Sequence, residues 1–118
     1  MAGFRDGLPG HGSYRELLAS CASPGDLVEA ITTSRTVTPD QWQVQIQAQI
    51  QEHATVVMHT GFLSGEELAE AHLSQTRDIF AAVRDALSRA GADATVCVLP
   101  EGPQTIPILA AAAPQTDV

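Results

Sequence analysis

Four histidines, two cysteines, one tryptophan and fourteen carboxylates are the main groups in this chain that could do chemistry. His11 lies in a glycine-rich run, where a ligand or acid/base role is geometrically easy. Its plain alternative is a loop residue hydrogen-bonded to nearby backbone. His53 and His59 are not at the His-x3-His spacing that puts two ligands on one helix face. His53 suits the negative end of a helix, and His72 also falls near a helix end. Glu66 and Glu67 are adjacent, so on a helix they point about 100° apart and do not converge as an acid/base pair. Ser13, Ser23 and Ser64 read as helix caps, and none lies in a Gly-x-Ser-x-Gly elbow. Gly7–Gly12 is ordered Gly-x-x-Gly-x-Gly, not the dinucleotide order Gly-x-Gly-x-x-Gly. Cys21 and Cys97 form no CxxC and read as free thiols, Cys97 inside an apolar strand. Trp42 has two readings: an indole at a ligand cleft, or the anchor of a core helix.

Composition narrows the chemistry further. All six cations are arginine (Arg5, Arg15, Arg35, Arg77, Arg84 and Arg89), and there is no lysine. The chain therefore forms no Schiff base and tethers no cofactor through an ε-amine. With fourteen Asp and Glu the formal net charge is -8, and the arginines form no basic stripe. Both features argue against a nucleic-acid partner. No apolar run approaches the roughly 20 residues of a membrane span, and no export signal is visible, so a cytoplasmic location is expected. The 118 residues and 44% hydrophobic content suit one domain with a modest core.

These groups must be positioned by a βα-type scaffold. Residues 1–12 read as loop. Ser13, with Glu16 in a capping box, predicts a helix over Tyr14–Ser20. Ser23-Pro24 predicts a second helix to about Thr32, burying Leu27, Val28 and Ile31. Residues 41–51 alternate polar and apolar, the period of a strand. Thr38-Pro39-Asp40-Gln41 is nevertheless a capping box, and Trp42, Ile46 and Ile50 recur every four residues. A helix over about 39–52 is the better reading, with Val44 and Ala48 on its far side needing a second contact surface. Thr55–Thr60 predicts a buried strand. Ser64 caps a helix to about His72, and Thr76 caps another over Arg77–Ala90 that buries Ile79, Phe80, Val83, Ala86 and Leu87. Thr95–Leu99 predicts a second buried strand, and Thr105–Leu109 a short edge segment. The fold expected is α/β: a small parallel-type sheet flanked by helices and incomplete at its N-terminal edge, over residues 1–109. Residues 110–118 read as a disordered tail. The glycine-rich start looks like a loop that follows a strand, yet no strand precedes it.

Three segments in register resemble one family. Phe4-Arg5-Asp6-Gly7-Leu8-Pro9-Gly10-His11 is similar to the Asp/Glu-Gly-Ile-Gly-His loop of the nickel-dependent lactate racemases. Asp40-Gln41-Trp42, then Gln45-Ile46, resembles their Asp-Gln-Trp helix. Val98-Leu99-Pro100-Glu101-Gly102-Pro103 and Thr105-Ile106-Pro107-Ile108-Leu109 resemble their closing Leu-Pro-x-Gly-Pro-x-Thr-x-Pro segment, with Glu101 where Asp or His is expected. The resemblance is to the C-terminal domain and covers residues 4–109. It implies a 2-hydroxy acid racemase or epimerase, an isomerase that moves hydride from and to the α-carbon with a nickel pincer nucleotide. In that family the N-terminal domain supplies the cofactor lysine, a nickel-ligating histidine and the acid/base histidines. The C-terminal domain closes the other wall of the cleft.

The resemblance therefore implies a fragment or subunit, not catalytic alone, that needs an N-terminal racemase domain in cis or in trans. Trp42 and His11 are the pocket residues it carries over, with no catalytic residue and no metal ligand. The alternative is a non-enzymatic α/β interaction domain whose exposed apolar surface is covered by a homodimer.

Overall fold

A computed structural model describes residues 5–106 and Ile108. Five helices and one small sheet follow in chain order: α1 (Tyr14–Ala19), α2 (Pro24–Thr33), α3 (Gln41–His53), β1 (Val57–Met58), α4 (Gly65–Glu70), β2 (Ser74–Gln75) and α5 (Ile79–Ala90). A single 3-10 turn covers Gly102–Gln104. The strands β1 and β2 are parallel, with Val57 opposite Ser74 and Met58 opposite Gln75. The α/β class expected from the sequence is the class observed. The disordered tail expected over 110–118 lies outside the described residues, as do Phe4, Pro107 and Leu109.

The helix starts follow local chemistry. Ser23 accepts the Asp26 amide ahead of Pro24, which has no N–H to satisfy. Ser64 and Glu67 form a complete capping box at α4: the Ser64 hydroxyl accepts the Glu67 amide, and the Glu67 carboxylate accepts the Ser64 amide at 2.8 Å. Three expected caps differ: at α3 the residue before the helix is Asp40, not Thr38, and it makes no side-chain cap. Ser13 makes no side-chain cap, and its backbone amide, which Glu16 would accept in a capping box, donates to Asp40. Asp78, not Thr76, caps α5 by accepting the Ala81 amide, while the Thr76 hydroxyl bonds Asp78 and shapes the turn before it. Arg77 therefore precedes the helix.

The core lies between α1, α2, α3 and α4. Leu8, Leu18, Leu27, Ile31, Val44, Ala48, Leu63, Leu68 and Ala71 are buried together, with Met58, Cys21 and Val28 packed against them. Helix α3 is where expected, but its buried face is the opposite one. Val44 and Ala48 are 0% exposed, whereas Trp42 is 64% exposed and Ile46 and Ile50 are about half exposed. The physical reason is visible in the neighbours. Small Val44 and Ala48 let α1 and α2 approach α3 closely. The flanking Gln47 and Gln51 amides then reach the Ala71 carbonyl, each at 3.0 Å, and Gln51 also reaches the His72 carbonyl at 2.9 Å. These carbonyls end α4 and would otherwise lack partners.

The C-terminal third departs most from expectation. No residue of α5 is buried, and Phe80 is 84% exposed. Thr95–Leu99 is not a strand: Val96, Cys97 and Val98 are exposed. Thr105 and Ile106 join no ladder either. The partner of β1 is instead Ser74–Gln75, a polar pair with no strand-like pattern in the sequence. Its ladder is set by the turn after α4, where His72 takes a positive φ of 55° and reverses the chain. The His72 ring bonds the Leu18 carbonyl at 3.0 Å, tying that turn to α1.

Candidate functional site at the glycine loop and helix α3

The two residues singled out by sequence, His11 and Trp42, lie on segments joined by a third that sequence reasoning passed over. Asp40 precedes α3 in the left-handed region, with φ 64°. Its carboxylate accepts the Ser13 amide at 3.1 Å, across 27 residues of chain. Gly12 lies against the same carboxylate with φ +74°, and a methyl group built on it would overlap that carboxylate. Glycine is therefore required at position 12 for backbone conformation and for space. On the other side, Gln41 turns back so that its side-chain oxygen accepts the Thr38 amide at 2.9 Å, half of the capping box read from the sequence. The Asp-Gln-Trp triplet thus does three jobs in order: Asp40 clasps the glycine loop, Gln41 closes the turn, and Trp42 is left exposed at the head of the helix.

His11 is exposed on the clasped loop, one residue before Gly12. The clasp brings its loop to the start of α3, but the two side chains do not share a cavity. The groove between loop and helix, about 290 Å³, is walled by Leu8, Pro9, Tyr14, Gln47 and Leu73 among others. Trp42 and His11 stand outside those walls. Tyr14 donates to the Gln47 side-chain oxygen there, and burial pushes the Tyr14 phenol above its ordinary value. The other three histidines bond backbone carbonyls: His53 to Gln49, His59 to Thr76 and His72 to Leu18. A carbonyl only accepts, so each contacting ring nitrogen is the protonated donor.

Among the described residues no three His, Cys, Asp or Glu side chains group as a metal site. With no lysine in the sequence, this chain's own donor set does not fit a lysine-tethered nickel nucleotide, and we derive no chemical step through that group.

Two comparisons bear on what this arrangement belongs to. The family model of the lactate racemase C-terminal domain matches residues 1–106. A lactate racemase of Lactiplantibacillus plantarum is 35% identical over 104 residues, which is 86% of this chain and 24% of that protein. The chain belongs to the lactate racemase C-terminal domain family. It spans about a quarter of the length of the curated relative it matches. The family match covers the glycine loop, the Asp40 clasp, Trp42 and the turn at Gly102, so the segments that carried the resemblance fall inside it except for residues 107–109. Among the described residues no helix is long and apolar enough to cross a membrane.

Proposed function

We propose that this chain forms one wall of the interdomain cleft of a nickel-pincer-nucleotide-dependent 2-hydroxy acid racemase, and acts only with an N-terminal racemase portion, in cis or in trans. The observation that carries the proposal is the inversion of α3. The helix hides its small residues and turns Trp42 outward beside a loop that is fastened in place. An indole at a helix start and left more than half exposed is suited to packing against a second surface. His11, on the fastened loop, faces solvent on a neighbouring segment and is the second contact of this wall. The nucleotide, its lysine and the acid/base pair belong to the other portion in this reading. A cytoplasmic location goes with it, supported by two unpaired thiols.

Trp42 is the sole tryptophan, so its emission reports the wall directly. Mixing the chain with the N-terminal portion of a family racemase, loaded with its nucleotide, should shift Trp42 emission to shorter wavelength and give racemisation of a 2-hydroxy acid. Trp42→Ala should weaken that activity, and neither component should be active alone. Racemisation or stoichiometric nickel in the isolated chain would overturn the proposal. A stable homodimer by light scattering that excludes the N-terminal portion would favour the interaction-domain reading.

A further inference from the structure

We propose that the pocket at the carboxyl ends of β1 and β2 is an oxyanion subsite, and that it takes the second acid group of a 2-hydroxy diacid. The pocket stands on this chain's own residues, while its assignment to a substrate rests on the racemase reading. It measures about 580 Å³ and is walled by His59, Thr60, Gly61, Gln75, Thr76 and Arg77, among others. His59–Gly61 follow β1 directly, and Thr76 and Arg77 follow β2. In open parallel sheets, the carboxyl ends of the strands are where ligands bind, and the volume suits a small molecule.

The walls offer mainly donors. Arg77 is exposed, and among the described residues the single ion pair is Arg15 with Glu70, so no carboxylate pairs with Arg77. No carboxylate is among the described walls. The two carboxylates beside them are engaged at helix starts: Glu67 accepts the Ser64 amide and Asp78 the Ala81 amide. The Thr60 hydroxyl accepts the Phe62 amide at 3.1 Å, which leaves its proton to donate. The His59 Nδ1 is tied to the Thr76 carbonyl at 3.0 Å, which leaves Nε2 unspent, and in the imidazolium form it donates as well. A guanidinium with hydroxyl and imidazole donors suits a carboxylate or phosphate, not a metal cation. A polyanion fits poorly, because one arginine in a chain of charge -8 makes no phosphate track. Residues 54–56 lead from α3 straight into β1. In α/β units a helix runs antiparallel to the strand it feeds, which puts Trp42, at the start of α3, at the same end of the sheet as this pocket. A 2-hydroxy acid spends its carboxylate and hydroxyl at the reacting carbon. Donors set off from that carbon suit a second acid group on the side chain, which a lactate methyl would leave unused.

The test is titration of the whole chain with malate, lactate and inorganic phosphate at matched ionic strength, read at backbone amides by heteronuclear NMR. Malate should shift the Gly61 and Arg77 amides, and lactate should bind there about tenfold more weakly or not at all. Arg77→Gln, at an exposed position, should weaken malate binding by about tenfold. Gly61→Asp puts a carboxylate into the pocket at a position with open space around it, and should abolish malate binding. Arg15→Gln removes an equal charge elsewhere and should change nothing. Equal response to malate and lactate, no response to malate, or binding that survives both pocket variants overturns the proposal. A response to phosphate but not to malate assigns the pocket to phosphate and overturns the diacid. With the N-terminal portion of a family racemase added, the turnover ratio of malate to lactate should fall by about tenfold or more in Gly61→Asp. Lactate racemisation without malate binding sinks the subsite and spares the racemase reading. Malate binding without racemisation of either acid does the reverse.

Discussion

Gly12 and Asp40 are matched to each other, and the match can be measured. Gly12→Ala places a methyl against the Asp40 carboxylate and imposes a positive φ on alanine. The expected cost is about 1–3 kcal/mol of stability by urea denaturation, from strain and loss of the clasp. Asp40→Gly keeps the left-handed backbone and removes the carboxylate. In that background Gly12→Ala should cost only its φ strain, about 1 kcal/mol, so the two changes should not add. A second residue-scale expectation concerns pH. The Ser64 amide and hydroxyl hold the Glu67 carboxylate below the usual glutamate range. A lowered folded pKa means its contribution is fully present above the unfolded pKa and is lost as pH falls through the folded one. Stability of the native chain should decline across that acidic window. Glu67→Gln keeps a capping-box side chain without the titration, so its pH dependence should be flatter there in denaturation measured from pH 6 downward.

At the scale of elements, α3 shows what the sequence makes legible and what it does not. Its helical state was readable from Thr38-Pro39 and the Gln41 back-bond; the structure retains the back-bond, while the helix itself starts at Gln41 behind Asp40. Its orientation was not. Strict alternation puts apolar residues on both sides of a helix, and bulk favours the Trp42, Ile46, Ile50 side. Tertiary contacts decided otherwise: close approach of α1 and α2 at Val44 and Ala48, and two glutamine amides aimed at the end of α4. None of those partners is local in sequence. The same holds for β2, where Ser74 and Gln75 are placed by the His72 turn and not by strand propensity. Trp42 and His11 stand out in the sequence by motif and glycine content, whereas the Asp40 clasp depends on a partner 27 residues away. The inversion predicts a contrast in thermal or urea unfolding. Val44→Ala should cost about 2 kcal/mol, from two buried carbons and the cavity they leave. Ile46→Ala, although it removes more carbon, should stay within about 0.5 kcal/mol in the isolated chain.

Across the whole molecule, stability should be uneven, and the absence of lysine makes that easy to see. Trypsin has only arginines to cut. Arg15 lies in α1, whose Leu18 is 1% exposed, and its guanidinium pairs with Glu70 at 2.7 Å. Arg84 and Arg89 lie in α5, which is longer but buries nothing. A helix of about a dozen residues has marginal stability in water without a packed face. Cleavage inside a helix requires local unfolding, so the ordering of cuts reports the ordering of local free energies. Arg84 and Arg89 should therefore be cut well before Arg15, despite all three being helical. If Arg15 is cut first, the core around α1 is the weaker unit, and the division into a packed α1–α4 body and an unsupported α5 fails.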